Sequence, residues 1–322
     1  MLTYVLLIVG FAILIKGANL LVEGASSIAR ILKVSDLVVG LTIVAFGTST
    51  PELFVNIFAG IKANADIAIG NVVGSNIFNI LVILGVSSVI FPLIVTRSTV
   101  WIEIPLTLAA AVLLGLLAND HLLTKSSFQG LSRTDAAILL GCFAVFVYYV
   151  LRLAGKNMKE KGNDTSGSAK QYSPVRSALM IVAGLVGLFV GSKFVVDGAV
   201  VLAAALGVSQ SLIALTIVAA GTSLPELATS VVAAYKKNCD IAVGNILGSN
   251  IFNTFLILGI SASIRPIPLQ PKSNIDIGVG VLAALILFVA MFSGKKGVLD
   301  RWEGLLFVGL YMIYVGFLIA QG

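Results

Sequence analysis

Ten apolar stretches run along the chain, at about 2–28, 36–61, 66–90, 99–118, 133–153, 176–204, 210–235, 240–263, 274–293 and 301–320. A helix needs about 20 predominantly apolar residues to cross the hydrocarbon core of a bilayer, and each stretch reaches that length. Only 11% of the 322 residues are charged, where a soluble domain carries roughly 25%. That deficit excludes a water-soluble globular enzyme, a disordered chain and an ordinary nucleic-acid binder. Runs this long also exclude an outer-membrane barrel, whose strands are short and alternate in polarity. The expected fold class is an all-α polytopic membrane protein with ten transmembrane helices. The first apolar run begins at once, without a basic n-region or a small-residue cleavage site, and is read as a span rather than a removable signal.

The longest hydrophilic stretch, 154–175, is rich in Lys, Gly, Asn and Ser and reads as a flexible connector. It separates five spans from five, giving a first repeat over 1–153 and a second over 176–322. The halves are copies at an offset of 174. Eleven of the thirteen residues from Leu41 to Leu53 are identical to their partners at 215–227, and eleven of the fourteen from Asp66 to Asn79 match 240–253. Matched Pro, Glu, Asn, Ser and Thr are not a product of shared apolar bias. Because five is odd, the second copy enters the membrane from the other side. The expectation is two inverted five-helix repeats, a common construction for secondary transporters.

The formal charge of +6 follows the same logic. Lys and Arg collect in cytoplasmic loops, so a basic balance here is no sign of nucleic acid. With ten spans, fourteen Lys and Arg lie on the side of the connector and five, including Lys62, Lys125 and Lys272, on the side of the termini. This bias predicts a cytoplasmic connector with both termini outside, in a prokaryotic inner membrane. Cys142, Cys239 and the single His121 cannot form a disulfide framework or a zinc site. No cofactor, nucleic-acid partner or obligatory protein partner is expected, and no large cytoplasmic insert offers room for a regulatory domain.

Two segments in each half interrupt the apolar pattern. Ala45-Phe46-Gly47-Thr48-Ser49-Thr50-Pro51-Glu52 is matched by Ala219-Ala220-Gly221-Thr222-Ser223-Leu224-Pro225-Glu226, and the run Gly70–Asn79 by Gly244–Asn253. Proline removes a backbone donor and frees a carbonyl about four residues upstream, near Gly47 and Gly221. Irregular backbone at membrane depth is tolerated only where it lines a cavity or is buried in protein. Glu52 and Glu226 lie inside apolar spans, and an intramembrane carboxylate needs a compensating charge. No Lys or Arg accompanies either in the centre of its span, so that charge is expected to be a ligand. Thr48, Ser49, Ser75, Thr222, Ser223, Ser249, Asn79 and Asn253 add hydroxyl and amide oxygens. These hard donors suit calcium and alkali cations. Asn71, Asn76, Asn245 and Asn250 read instead as residues that cap or tie broken helices.

These motifs, present in both halves, resemble the two alpha repeats of the calcium/cation antiporter superfamily, and the layout is similar to that of prokaryotic sodium/calcium exchangers. The resemblance covers nearly the whole chain. It implies a core of broken helices from spans 2, 3, 7 and 8 at the ion site, with spans 1 and 6 moving against it. It further implies a calcium site of Glu52, Glu226, Thr48 and Thr222. Sodium sites would flank it, one from Ser49, Ser75 and the Ala45 carbonyl, the other from Ser223, Ser249 and the Ala219 carbonyl, with Asn79 and Asn253 lining the middle. Some exchangers of this type, potassium-dependent ones among them, carry Asp where this chain has Asn253.

The expected function is secondary antiport of Ca2+ against Na+ through a shared oxygen site. The two ions are similar in size, so charge must discriminate between them. Proton/calcium exchange is the alternative, since neighbouring carboxylates can bind protons. An intramembrane hydrolase is disfavoured because the acids sit in symmetric cation-ligand motifs, and no enzyme activity is expected. Gly10, Gly17 and Gly24, with Gly184, Gly191 and Gly198, give spans 1 and 6 faces that permit close backbone approach. Lys16, Glu23, Lys193 and Asp197 are expected to be interface anchors or local ion pairs.

Overall fold

The computed structural model describes residues 2–61, 65–120, 128–160, 171–207, 219–270 and 273–321. Lys62, Lys125, Lys272, His121, the first part of the 210–235 stretch and the middle of the connector lie outside them. The described residues are mostly helical. Eight of their helices are long and apolar enough to cross a membrane, and a bent pair adds a ninth. In chain order the helices are α1 (Leu2–Ile31), α2 (Asp36–Thr48) and α3 (Thr50–Ile61), the last two forming the bent pair. Next come α4, built of the contiguous stretches Ala65–Phe78, Asn79–Leu84 and Gly85–Ile90, then α5 (Thr99–Ala118), α6 (Arg133–Glu160) and α7 (Pro174–Ala205). The remainder are α8 (Leu224–Tyr235), α9 (Cys239–Ile264), α10 (Ser273–Ala290) and α11 (Arg301–Gln321). Helix α6 runs past the end of its apolar stretch, because the following Lys, Met and Glu are themselves good helix formers.

Burial separates centre from periphery. In α9, 94% of the most apolar window is enclosed by protein, against 17% in α11. Helix α9 is therefore the axis, and α11 faces the surroundings. Close approach of α2 to α9 depends on glycine. A Cβ on Gly248 would stand 2.6 Å from Ala45 Cβ and 2.8 Å from the Leu41 carbonyl, and one on Gly244 3.0 Å from the Leu37 carbonyl. Any side chain there would push apart the two polar motifs.

Spans 1 and 6 use their glycines on one another. A Cβ on Gly17 would meet Leu188 N at 2.7 Å, one on Gly191 would meet Leu14 N at 2.6 Å, and one on Gly24 would meet the Ser177 carbonyl at 2.9 Å. Contacts fall along α7 as they rise along α1, so the pair is antiparallel and packed backbone to backbone.

Two short antiparallel ties join the halves. Leu93–Ile94 (β1) pairs with Val298–Leu299 (β4), and Gly130–Leu131 (β2) pairs with Ile267–Pro268 (β3). At the repeat offset of 174, Leu93 corresponds to Ile267, so each copy of one loop is tied to the opposite half.

Candidate functional site

The chain turns at Ser49 (φ −80°, ψ 6°), and α2 and α3 meet there at a 47° bend. Ser223 has nearly the same backbone (φ −88°, ψ 6°) ahead of α8. Each turn is followed by Pro51 or Pro225 in the first helical turn, where a missing N–H costs nothing. Glu52 and Glu226 come next, at the electropositive helix start that favours a carboxylate. Spans 3 and 8 carry no such break. They stay continuous and widen into π-helix at Asn79–Leu84 and Phe252–Ile257, a distortion often found at functional sites. Span 2 also contains π-helix, at Gly40–Val44 ahead of its bend, as does α5 at Thr99–Glu103, so spans 3 and 8 widen without the break that span 2 adds.

Both carboxylates are 1% exposed. Ser49 Oγ donates to Glu226 Oε1 at 3.0 Å, and Ser223 Oγ donates to Glu52 Oε1 at 3.3 Å. Thr48 faces Glu226 and Thr222 faces Glu52. The Thr-Ser pair of one half therefore addresses the acid of the other. Ser249 also faces Glu226, from beyond hydrogen-bonding distance.

Ten buried side-chain oxygens among the described residues have no hydrogen-bond partner, and six belong to expected ligand residues: Glu52 Oε2, Glu226 Oε2, Asn79 Oδ1, Asn253 Oδ1, Ser75 Oγ and Ser249 Oγ; the other four are Asn56 Oδ1, Ser87 Oγ, Glu103 Oε2 and Ser192 Oγ. Each half contributes three of the six at matching positions. Leaving a polar atom buried without a partner costs about 1–3 kcal/mol, and more for a charged one. No Lys or Arg pairs with either carboxylate among the described residues; Lys193–Asp197 and Lys236–Glu23 pair elsewhere. No cluster of three or more His, Cys, Asp or Glu suited to a metal occurs among the described residues either. The chemistry is two carboxylates within neutral oxygen donors, which fits a hard cation.

Ala45 O accepts the Ser49 N–H at 3.0 Å and lies 3.3 Å from Thr48 Oγ1, and in the second half the Ser223 N–H donates to Ala220 O at 3.2 Å. Of the residues expected to tie helices, Asn245 does so most fully. Its Oδ1 accepts from Thr48 Oγ1 at 3.0 Å, and its Nδ2 donates to Ser230 Oγ at 2.9 Å and to the Glu226 carbonyl at 3.3 Å. Asn71 differs, its buried Nδ2 having no partner. The acid anchors behave as expected: Lys193 pairs with Asp197 at 2.9 Å along α7, and Glu23 joins α1 to Lys236 at 2.8 Å.

Sequence reasoning did not single out Asn56, Ser230, Thr254 or Glu103, all fully or almost fully buried. Asn56 Nδ2 donates to the Glu52 carbonyl at 2.9 Å. Glu103 Oε1 accepts from Tyr149 and Ser98, while its Oε2 has no partner. Its place near the end of an apolar stretch concealed it, and a polar residue inside an apolar run was the available signal for the rest.

Two buried carboxylates, each joined to a hydroxyl of the opposite half, suit a helical membrane protein that moves cations. The chain belongs to the sodium/calcium exchanger protein family, which matches residues 2–152 and 176–320 and passes over the connector. It is 36% identical over 318 residues to the putative antiporter CaxA of Alkalimonas amylolytica, covering 97% of this chain and 96% of that one. It is 31% identical over 345 residues to the sodium/calcium exchanger MaX1 of Methanosarcina acetivorans, covering 98% and 97%. Its fold matches the solved sodium-calcium exchanger NCX_Mj, soaked with 10 mM Na+ and zero Ca2+, with a TM-score of 0.81, 32% identity and 98% of each chain covered. The protein is a membrane antiporter of the calcium-exchanging class, a family of transporters rather than enzymes.

Proposed function

We propose that the protein exchanges Ca2+ for Na+ by alternating access at the Glu52–Glu226 site. The set of six partnerless buried oxygens on expected ligand residues carries this reading, because a bound cation supplies the partner they lack. Calcium is held by Glu52, Glu226, Thr48 and Thr222. Sodium binds on the two flanks, through Ser49, Ser75 and the Ala45 carbonyl, and through Ser223, Ser249 and the Ala219 carbonyl. Asn79 and Asn253 line the middle. Two carboxylates balance one divalent ion, whereas monovalent ions must bind together to match it. Both ions are cargo. The antiparallel α1–α7 pair moves as one body against the core that contains α9.

The ten-span, two-repeat plan draws support from the strand ties. Residues 93–94 and 298–299 pair, so they lie on one side of the membrane and an even number of crossings separates them. Between them, α5, α6, α7, α9 and α10 supply five. A sixth is needed, and the 210–235 stretch, of which α8 is the described end, is the one available. Ten spans then place the basic connector in the cytoplasm and both termini outside.

Proton/calcium exchange is the second reading, supported by two fully buried carboxylates able to take up protons. Calcium flux in proteoliposomes with an imposed sodium or proton gradient separates the two. Sodium-driven flux that responds to a clamped membrane potential is expected, since neutral Asn79 and Asn253 add no third charge to balance further sodium ions. Flux that follows only the proton gradient would overturn sodium coupling.

A further inference from the structure

Asn76 and Asn250 lie on α4 and α9, just ahead of the π-helical stretch of each. Neither belongs to the proposed ligand set. Asn79 Nδ2 donates to Asn250 Oδ1 at 2.9 Å, and Asn250 Nδ2 donates to the Asn76 carbonyl at 3.3 Å. Asn253 Nδ2 donates to Asn76 Oδ1 at 3.1 Å, and Asn76 Nδ2 donates to Thr254 Oγ1 at 3.0 Å. One amide hydrogen of each central asparagine is thus taken by an asparagine of the opposite half. What remains on each is a buried Oδ1 without a partner.

The two ends of a carboxamide have nearly the same shape and opposite roles, since the oxygen only accepts and the nitrogen only donates. A cation accepts coordination from the oxygen and is repelled by the N–H. Packing alone does not discriminate between the ends, whereas a fixed acceptor behind the nitrogen does.

We infer that Asn76 and Asn250 are positioning residues, which lock the Asn253 and Asn79 amides with their oxygens toward the transported cation. The inference rests on the proposed site reading and adds to it how the site keeps its polarity. Asn250 is itself held by the Asn76 carbonyl, which only accepts, while Asn76 Nδ2 rests on the Thr254 hydroxyl. The arrangement is crossed between repeats: the first half orients the second half's amide, and the second half orients the first's.

The test compares Asn76→Leu, Asn76→Asp and Asn250→Leu in proteoliposomes, reading both half-saturating calcium and maximal flux. Thermal melting in sodium-free, calcium-free choline buffer reports the fold. Leucine keeps the volume and removes the acceptor. Half-saturating calcium is expected to rise about tenfold or more in both Leu variants, with maximal flux within about twofold and the choline melting point retained. Asp retains an acceptor for Asn253 Nδ2, and the Thr254 hydroxyl can turn to donate to it. Asn76→Asp is therefore expected to hold calcium at least as well as the parent. Unchanged half-saturation in the Leu variants, or equal weakening in Leu and Asp, overturns the inference. Should Asn76→Leu fail to fold, Asn76→Ala takes its place, and the Asp variant is judged by the same criterion. Glu52→Gln, run in parallel, separates the levels. Normal calcium affinity in that variant would remove the site reading and this inference together, whereas its loss beside unaffected Asn variants removes the inference alone.

Discussion

Ser49 hydrogen-bonds Glu226 across 177 positions of sequence, its Oγ 3.0 Å from the carboxylate Oε1. Ser223 repeats the contact toward Glu52 at 3.3 Å. The acids and hydroxyls of this site are therefore wired between the repeats, and neither half forms a complete site.

Removing either hydroxyl should weaken the opposite acid's hold on cations. A hydrogen bond to a charged group is worth about 1.5–3 kcal/mol, so Ser49→Ala and Ser223→Ala are each expected to weaken apparent cation affinity by at least about tenfold. Isothermal titration of calcium and sodium on purified protein measures this. Unaltered titrations in both variants would show that the serines serve only packing.

The carboxylates themselves should matter far more. Glu52→Gln and Glu226→Gln keep volume while removing half the negative charge that balances a divalent ion. Each is expected to lower sodium-driven calcium flux by about a hundredfold or more, as losing a charged partner in a dry site costs several kcal/mol. Folded yield should hold, because no cation among the described residues pairs with either acid. Near-normal flux in either variant would make that carboxylate structural.

Backbone contact between α1 and α7 is the third target. Gly191→Ala places a Cβ 2.6 Å from Leu14 N, and Gly17→Ala one 2.7 Å from Leu188 N. Overpacking of this kind costs about 1–3 kcal/mol, seen as a lower melting temperature in detergent. Gly309→Ala and Gly316→Ala, whose added Cβ meets nothing within 4 Å, should leave the melt unchanged. Equal melts in all four would mean that the two helices can separate freely.

Orientation can be read with single cysteines in a background lacking Cys142 and Cys239. Gln171→Cys and Ala320→Cys lie at exposed positions, before α7 and at the end of α11. A membrane-impermeant thiol reagent applied outside intact cells is expected to label Ala320→Cys alone. Labelling of both from one side would mean that the count of crossings is wrong by one.

The membrane class, the duplication and the residues of the candidate site were legible in the sequence because each is written in local chemistry. Apolar runs report a bilayer, an odd number of spans per copy reports inversion, and a carboxylate beside proline in an apolar run reports a ligand. Contacts across the repeat were not legible. Nothing in the order of residues says that Ser49 serves Glu226 rather than Glu52, which is only three residues away. Nor did the order say that the glycines of span 1 would be spent on span 6, or that spans 3 and 8 would widen into π-helix where breaks were expected. Those outcomes depend on which faces meet once α2 crosses α9 at Gly248. Composition and spacing thus determined the membrane class and the candidate residues, while the tertiary structure decided which of them meet, because partner choice between distant segments is a property of packing and not of any one stretch of chain.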